Sequence, residues 1–355
     1  MASSRTTNRK IIVEPLDFAI LVPHIKSRDA RELLPKTGIF PLHARIIIHG
    51  LNNAYANAIR RILCDEIENL ALVLDKQTWI TDDEFLIVEL IASRVMLMPL
   101  VQDYPGITVG ARFTLDAKND TELPRDILTK EFILPNKMHS PPFFDTISLF
   151  SLNPHRTVHF TARVERSMGH AAYSSVSKAV CIPLDERPQK EDDYVDPILP
   201  YSDNAKYLES ASICNPYVNM LDLELTGTHK INALLVRVIT ILRERVGKIS
   251  KASILQMDIG GTIATGELMT NAYEIRMQGE THTIGCLFTR TCLEIFPKIE
   301  SATWNVEDVA NELVIKIRTV VEPVEKVVAQ TIQTILGNLT ILGEQFEHLP
   351  VVIKS

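Results

Sequence analysis

The apolar positions of the chain switch repeatedly between a period near 3.6 and a period of two, and the switches mark its elements. Between Asn52 and Leu70 the residues Tyr55, Ile59, Ile62, Leu63, Ile67 and Leu70 fall on one stripe at 100° per residue, which predicts an amphipathic helix. The preceding "HARIIIHGL" (His43–Leu51) is β-branched enough for a buried strand running straight into that helix. After Ala71 the pattern turns strand-like, then shortens toward "VELIASRVMLMPL" (Val88–Leu100), which Pro99 closes.

A different texture follows. "RTVHFTARVE" (Arg156–Glu165) alternates Val158, Phe160, Ala162 and Val164 with polar neighbours, as a half-exposed strand does. "DERPQKEDDYVDPILPYSDNAK" (Asp185–Lys206) is dense in charge and proline and predicts a loop. The first texture then returns. "MLDLELTG" (Met220–Gly227) alternates as a strand, Thr228 can cap a helix, and Ile231, Leu234, Leu235, Val238, Ile241 and Leu242 carry its apolar face, with Gly247 placed to end it. The last hundred residues repeat the scheme: strand "AYEIRMQGE" (Ala272–Glu280), helix "THTIGCLFTRTCLEIF" (Thr281–Phe296), strand "ELVIKIRTV" (Glu312–Val320), and a final helix opened by Pro323. That helix carries Val324, Val327, Val328, Thr331, Ile335 and Leu339 on one side.

The pattern predicts an α+β fold in which a strand–helix–strand–helix plan occurs twice, the first copy interrupted by an insert. Residues 12–100 with 218–250 form the first module, 101–217 a mainly β insert, 251–270 a linker, 271–355 the second module, and 1–11 a disordered, Ser/Thr/Arg-rich start. A small sheet with helices on one face leaves apolar helix surfaces uncovered, and a buried Leu or Val is worth roughly 1.5–3 kcal/mol. Two such layers can cover each other, so an internal pseudo-dimer is expected. Its contact is placed on Ile231, Leu234, Leu235, Val238 and Leu242 of one helix and Val324, Val328 and Ile335 of the other.

The 355 residues are 46% apolar and 23% charged, as in a globular protein, and no apolar run reaches the roughly 18 residues of a spanning helix. The polar start "MASSRTTNRK" lacks a secretory apolar region, so an intracellular location is expected. Cys64, Cys181, Cys214, Cys286 and Cys292 are odd in number and form no CxxC pair, which favours free thiols over a disulfide framework or a zinc site. A net charge of −7 disfavours nucleic-acid binding by the chain alone.

Catalytic motifs are missing. No Walker loop, GxGxxG fingerprint, HExxH or nucleophile elbow occurs, and "DIGGTIATG" (Asp258–Gly266) lacks the lysine that would reach phosphates. The histidines do not pair with cysteines or carboxylates at ligand spacing, so no metal or cofactor is expected. His282, ahead of a helix, reads as a cap or packing residue, and Asp82, Asp83 and Glu84 as a solvated turn. The adjacent Arg60 and Arg61 remain unusual. On the helical wheel Asn57, Arg61 and Cys64 face away from the apolar stripe and Arg60 sits at its edge. One reading is a solvated face with an Arg61–Asp65 pair; the other is forked guanidinium recognition of carboxylates or carbonyls on a partner.

"ANAIRRILCDEI" (Ala56–Ile67) and "ELIASRVMLMPL" (Glu89–Leu100) together resemble the signature of the alpha-like subunits of multisubunit DNA-directed RNA polymerases. These are the bacterial alpha subunit, the archaeal D subunit and the third-largest subunit of RNA polymerase II. Asn57, Ala58, Arg60 and Arg61 match the first half of that signature; Glu89, Ile91, Ala92, Arg94, Leu97, Pro99 and Leu100 match the second. "VERSMGHAAYSSVSKAV" (Val164–Val180) is similar to a segment of the family's insert domain, and "LDLELTGTHKINALLVRVITILRERV" to its returning strand and dimerisation helix. "YEIRMQGETHTIGCLFTR" (Tyr273–Arg290) resembles the smaller partner, the archaeal L or eleventh-largest polymerase II subunit, with Glu280, His282, Thr283, Gly285 and Arg290 in register. Cys286 replaces the family's asparagine, "ATWNVED" (Ala302–Asp308) stands for its "HPLE" segment, Ser93 and Met96 replace its His and Gly, and the metal-binding cysteines of some larger relatives are missing.

The resemblance implies two alpha-like dimerisation modules fused in one chain, an arrangement similar to that of large cytoplasmic DNA viruses. It implies a non-catalytic assembly subunit that docks the second-largest and then the largest polymerase subunit, alongside smaller ones, contacts DNA only through the complex, and forms no homodimer. Asn57, Arg60, Arg61, Glu89, Arg94 and Pro99 would carry the docking. Host cytoplasm or virion, or the nucleus, would be its place of work. Two alternatives stay open: an enzyme using insert carboxylates such as Asp145 or Asp185, and a free-standing adaptor dimerising through its last helix.

Overall fold

The computed structural model describes residues 10–20, 42–102, 104–135, 138, 140–143, 145–184, 217–226, 228–250, 252–257, 271–307, 309–319 and 323–349. The Asp185–Lys206 and Asp258–Gly266 stretches, Cys214 and the first nine residues lie outside them.

The fold is mixed α+β, built on two cores. In the first, strands β1 (Ile12–Ile20), β2 (Leu42–His49), β9 (Val176–Pro183) and β10 (Val218–Leu225) form an antiparallel sheet in the order β1-β2-β10-β9. Ala44, Ile46 and Ile48 alternate with Leu221, Leu223 and Leu225 on its inner face, all buried. Against that face pack α1 (Asn53–Asp65) and α3 (Ile231–Ile249). The chain's last part builds an analogous layer. Strands β11 (Ser253–Met257), β12 (Asn271–Gln278), β13 (Ser301–Glu307) and β14 (Glu312–Thr319) pair antiparallel in the order β11-β12-β14-β13, with α4 (His282–Ile295) and α5 (Val324–Glu347) on one face.

The two layers share one continuous core. α3 lies along α5, and the amide of Asn232 at the start of α3 donates to the carbonyls of Glu347 and Leu349 at the end of α5, so the helices run antiparallel. Ile231, Leu234, Leu235, Val238 and Leu242 are buried in this core with Val324, Val328 and Ile335. A Cβ on Gly343 of α5 would stand 3.4 Å from Ile239 Cγ2, which shows how near the two helices come.

The second core is continuous in sequence. Strands β3 (Asn69–Thr81), β4 (Arg112–Lys118), β6 (Phe132–Ile133) and β8 (Thr157–Ser167) form a sheet in the order β3-β8-β4-β6, joined by the pair β5 (Arg125–Leu128) and β7 (Ser148–Leu152) and by α2 (Val88–Met96). Val158, Phe160, Ala162 and Val164 of β8 are buried, and Phe160 meets Phe132 edge-on and stacks with Trp79.

Several expectations are corrected. The opening helix ends at Asp65: Glu66 gives it its last i→i−4 bond, to Ile62 O, but leaves helical geometry at φ −114°, and the chain then enters β3; Ile67 thus belongs to the first core and Leu70 to the second. The second core begins at Leu70 instead of at residue 101, since α2 and β3 bury their apolar sides there, while β9, inside the expected insert, pairs with β10 in the first sheet. The expected 251–270 linker contains β11, whose ladder partner is β12. Ile11 is buried against the first core, so the expected disordered start does not extend to it. Thr228 caps nothing: α3 begins after Lys230, and the Thr228 hydroxyl lies against Thr226 and His229. Gly247 sits inside α3, which continues to Ile249.

Candidate functional site

Where α1 meets α4, the two layers present a shared surface. Asn52 caps α1 by accepting from the Ala54 N–H at 3.0 Å, and its amide donates to Glu294 at the end of α4 at 2.8 Å. At the other end of α1, Glu66 pairs with Arg245 of α3, which also holds Glu280 at 2.7 Å and donates to Thr281 at 3.0 Å, the residue that caps α4. The two helices therefore run antiparallel, pinned at both ends. Glu280 is 1% exposed and also takes Lys248, so this buried charge is paired twice, as burial requires. Midway, the Tyr55 hydroxyl lies 3.4 Å from Thr291 Oγ1 on α4 and accepts from the Asn338 amide of α5 at 2.9 Å. Burial, outweighing these bonds, pushes its pKa up to about 12.

Between the pinned ends lies a cleft of about 200 Å³. Ala54, Asn57, Ala58 and Arg61 line one wall at i, i+3, i+4 and i+7, a single stripe of α1; His282, Thr283 and Cys286 of α4 with Trp304 of β13 line the other. Arg60 Nε donates to Asn57 Oδ1 at 2.9 Å, which leaves that side chain's NH2 group turned to donation. Arg61 has neither a hydrogen bond nor an ion pair among the described residues, so the expected Arg61–Asp65 pair does not form. Thr283 is 3% exposed, and its hydroxyl is buried without a partner. Burial raises the Cys286 thiol above its ordinary value, against the pull of Arg290 and Arg61. The cleft wall thus offers donors and a cation, and no carboxylate.

The remaining signature residues lie on the second core, apart from α1. Glu89 is exposed and reaches Lys76 at 3.3 Å; Arg94 is exposed but donates to Leu149 O at 2.8 Å, tying α2 to β7. Around them Phe85 (83% exposed), Ile87, Leu90 and Leu97 stand in solvent. The turn before α2 differs from expectation: Asp83 is buried and accepts from the N–H groups of Phe85 and Asn153 and the Asn153 amide, so it braces β3 against the β7–β8 turn. Asp145 is exposed, and Asp185 lies outside the described residues.

Among the described residues no group of three potential metal ligands occurs, Cys64, Cys181, Cys286 and Cys292 are free, and no helix is long and apolar enough to cross a membrane. Sequence periodicity brings Asn57, Arg60 and Arg61 onto one side of α1, but the opposing His282, Thr283, Cys286 and Trp304 were not legible as site residues. The available signals were the resemblance, which has His282 and Thr283 in register, and the small-residue pair Ala54 and Ala58 on the arginine side of the helix, where close approach by another element needs small side chains. A scan against models of known protein families gives no match, and neither does a search of curated proteins.

Proposed function

We propose that the chain is a non-catalytic assembly subunit of a DNA-dependent RNA polymerase: two alpha-like modules fused into an internal pseudo-dimer that docks the second-largest and then the largest subunit. The observation that carries this reading is Arg61, which stands beside Arg60 at the surface of a helix fixed at both ends and has no partner within the described residues. A guanidinium held ready on a rigid element suits recognition of another chain. Two further features support it. The helices that would dimerise separate modules, α3 and α5, cover each other inside one core, so a second copy has nothing to add there. The stretch resembling the second half of the signature carries exposed Leu90 and Leu97, and exposed Phe85 and Ile87 immediately precede it, an apolar supplement to the charged contacts. Smaller polymerase subunits would join the same platform, and DNA would be met only through the complex.

The test is co-purification of the tagged chain from its native setting, followed by mass spectrometry and an RNA-synthesis assay of the eluate. The wild-type chain is expected to bring two very large polymerase subunits at equal stoichiometry. The double variant Arg60→Ala, Arg61→Ala is expected to keep its circular dichroism and lose both. Recovery of the wild-type chain alone, or unaltered assembly of the variant, overturns the proposal.

A further inference from the structure

We infer that the cleft between α1 and α4 is a carboxylate socket, which receives one Asp or Glu side chain from the protein that docks on this face; the identity of that protein rests on the polymerase reading above. Four features of the cleft converge. Its Arg61 guanidinium has its donors unspent. Asn57 has its carbonyl oxygen occupied by Arg60, so its NH2 group is the part left to donate. The wall also contains the first turn of α4, a fourteen-residue helix whose N-terminal end carries partial positive charge. Finally, the hydroxyl of Thr283 is buried and unpartnered, and a buried polar group without a partner is costly unless something completes it.

The occupant is set by size and charge. Sites for metabolites and cofactors generally run from roughly 300 Å³ upward, and this cleft of about 200 Å³ is smaller. A single side chain fits better than a free metabolite. One unpaired guanidinium suits a monoanion, which can accept two parallel N–H donors from it. A phosphoryl group, with its higher charge, would call for further cations. Both layers build the socket, Asn57 and Arg61 from the first and Thr283 from the second, so it exists only where the two are assembled.

The probe is N-acetyl-glutamate N-methylamide, titrated into the full chain and followed by the NMR signals of the Trp304 indole N–H and the Arg61 Nε–H. Its glutamine counterpart and inorganic phosphate serve as the comparison arms. The glutamate compound should shift both signals saturably in the millimolar range, expected for one charged contact of about 4 kcal/mol. The glutamine compound should not. Arg61→Ala should abolish the shift, and Thr283→Val, which keeps shape and loses the hydroxyl, should weaken binding roughly tenfold, as loss of a bond to a charged group does. Absence of a saturable shift, an equal response to the glutamine compound, preference for phosphate, or an unchanged response in Arg61→Ala each overturns the socket. The two proposals fail separately. Saturable carboxylate binding by a chain that co-purifies with no polymerase keeps the socket and removes its assigned partner; polymerase recovery without carboxylate binding does the reverse.

Discussion

Gly285 shows how one position decides a helix–sheet contact. It lies in α4, where glycine costs about 1 kcal/mol of helix propensity relative to alanine, so an Ala replacement would stabilise an isolated helix. In the fold, a Cβ there would stand 2.6 Å from Trp304 Cδ1 and 2.9 Å from Leu313 Cδ1. Neither neighbour is the free end of a long chain: Trp304 is held in β13, and Leu313 is fully buried. Overpacking of this kind costs about 1–3 kcal/mol, more than the propensity gained. Gly285→Ala is therefore expected to lower the urea midpoint by an amount equivalent to about 1 kcal/mol and to change Trp304 emission; a raised midpoint would show that the ring moves aside freely. The glycine was visible in the sequence through the resemblance, but its physical reason was not, because Trp304 and Leu313 lie about twenty and thirty residues away and periodicity does not pair distant positions.

At the scale of elements, the strands and long helices were legible because their apolar periods are regular over eight or more residues, as in β8 and α5. The ends and the edge strands were not. β11 is only five residues long, and it is a strand because β12 offers a free ladder edge; tertiary pairing decided what propensity left undetermined. The outer face of the first sheet illustrates the same dependence. Asp222 on β10 accepts from His43 on β2 at 2.5 Å and from Lys178 on β9 at 3.3 Å, so a single carboxylate ties three strands. Burial raises its pKa, but the bonds from His43 and Lys178 outweigh that, and the net value lies below the ordinary 3.8. A depressed carboxyl contributes stability that is complete above its unfolded value and disappears as pH falls through the folded one. Asp222→Asn should thus cost about 1–2 kcal/mol at neutral pH and flatten the acid limb of stability below about pH 4. Unfolding followed across that range would show it, and an acid limb of unchanged slope would place the titration elsewhere.

On the scale of the whole molecule, the two cores differ in how the chain closes them. The second is assembled from a continuous run between Leu70 and Val164, whereas the first gathers residues from Ile11 to Leu349 into one cluster. Gln345 of α5 makes that closure explicit: it accepts from the Val13 N–H at 2.6 Å and donates to the Ile11 carbonyl at 2.7 Å. The expected partition at residue 100 missed this division because strands of both cores adjoin in sequence, and a short turn carries the chain from α1 in one core to β3 in the other. Loop closure over long separations is paid in chain entropy before its contacts form, so the first core is expected to depend more on distant packing than the second. Each core contains one of the chain's two tryptophans, Trp304 in the first and Trp79 in the second, and single-tryptophan variants can report them separately. Leu235→Ala, at a fully buried position of α3, should cost about 2–5 kcal/mol. If the cores are energetically distinct, the transition seen by Trp304 in a Trp79→Phe background will move to lower urea, and that seen by Trp79 in a Trp304→Phe background will stay. Equal displacement of both would mean that the junctions between α1 and β3 and between β8 and β9 couple the cores into one cooperative unit, and that a partner gripping either surface would steady the whole chain.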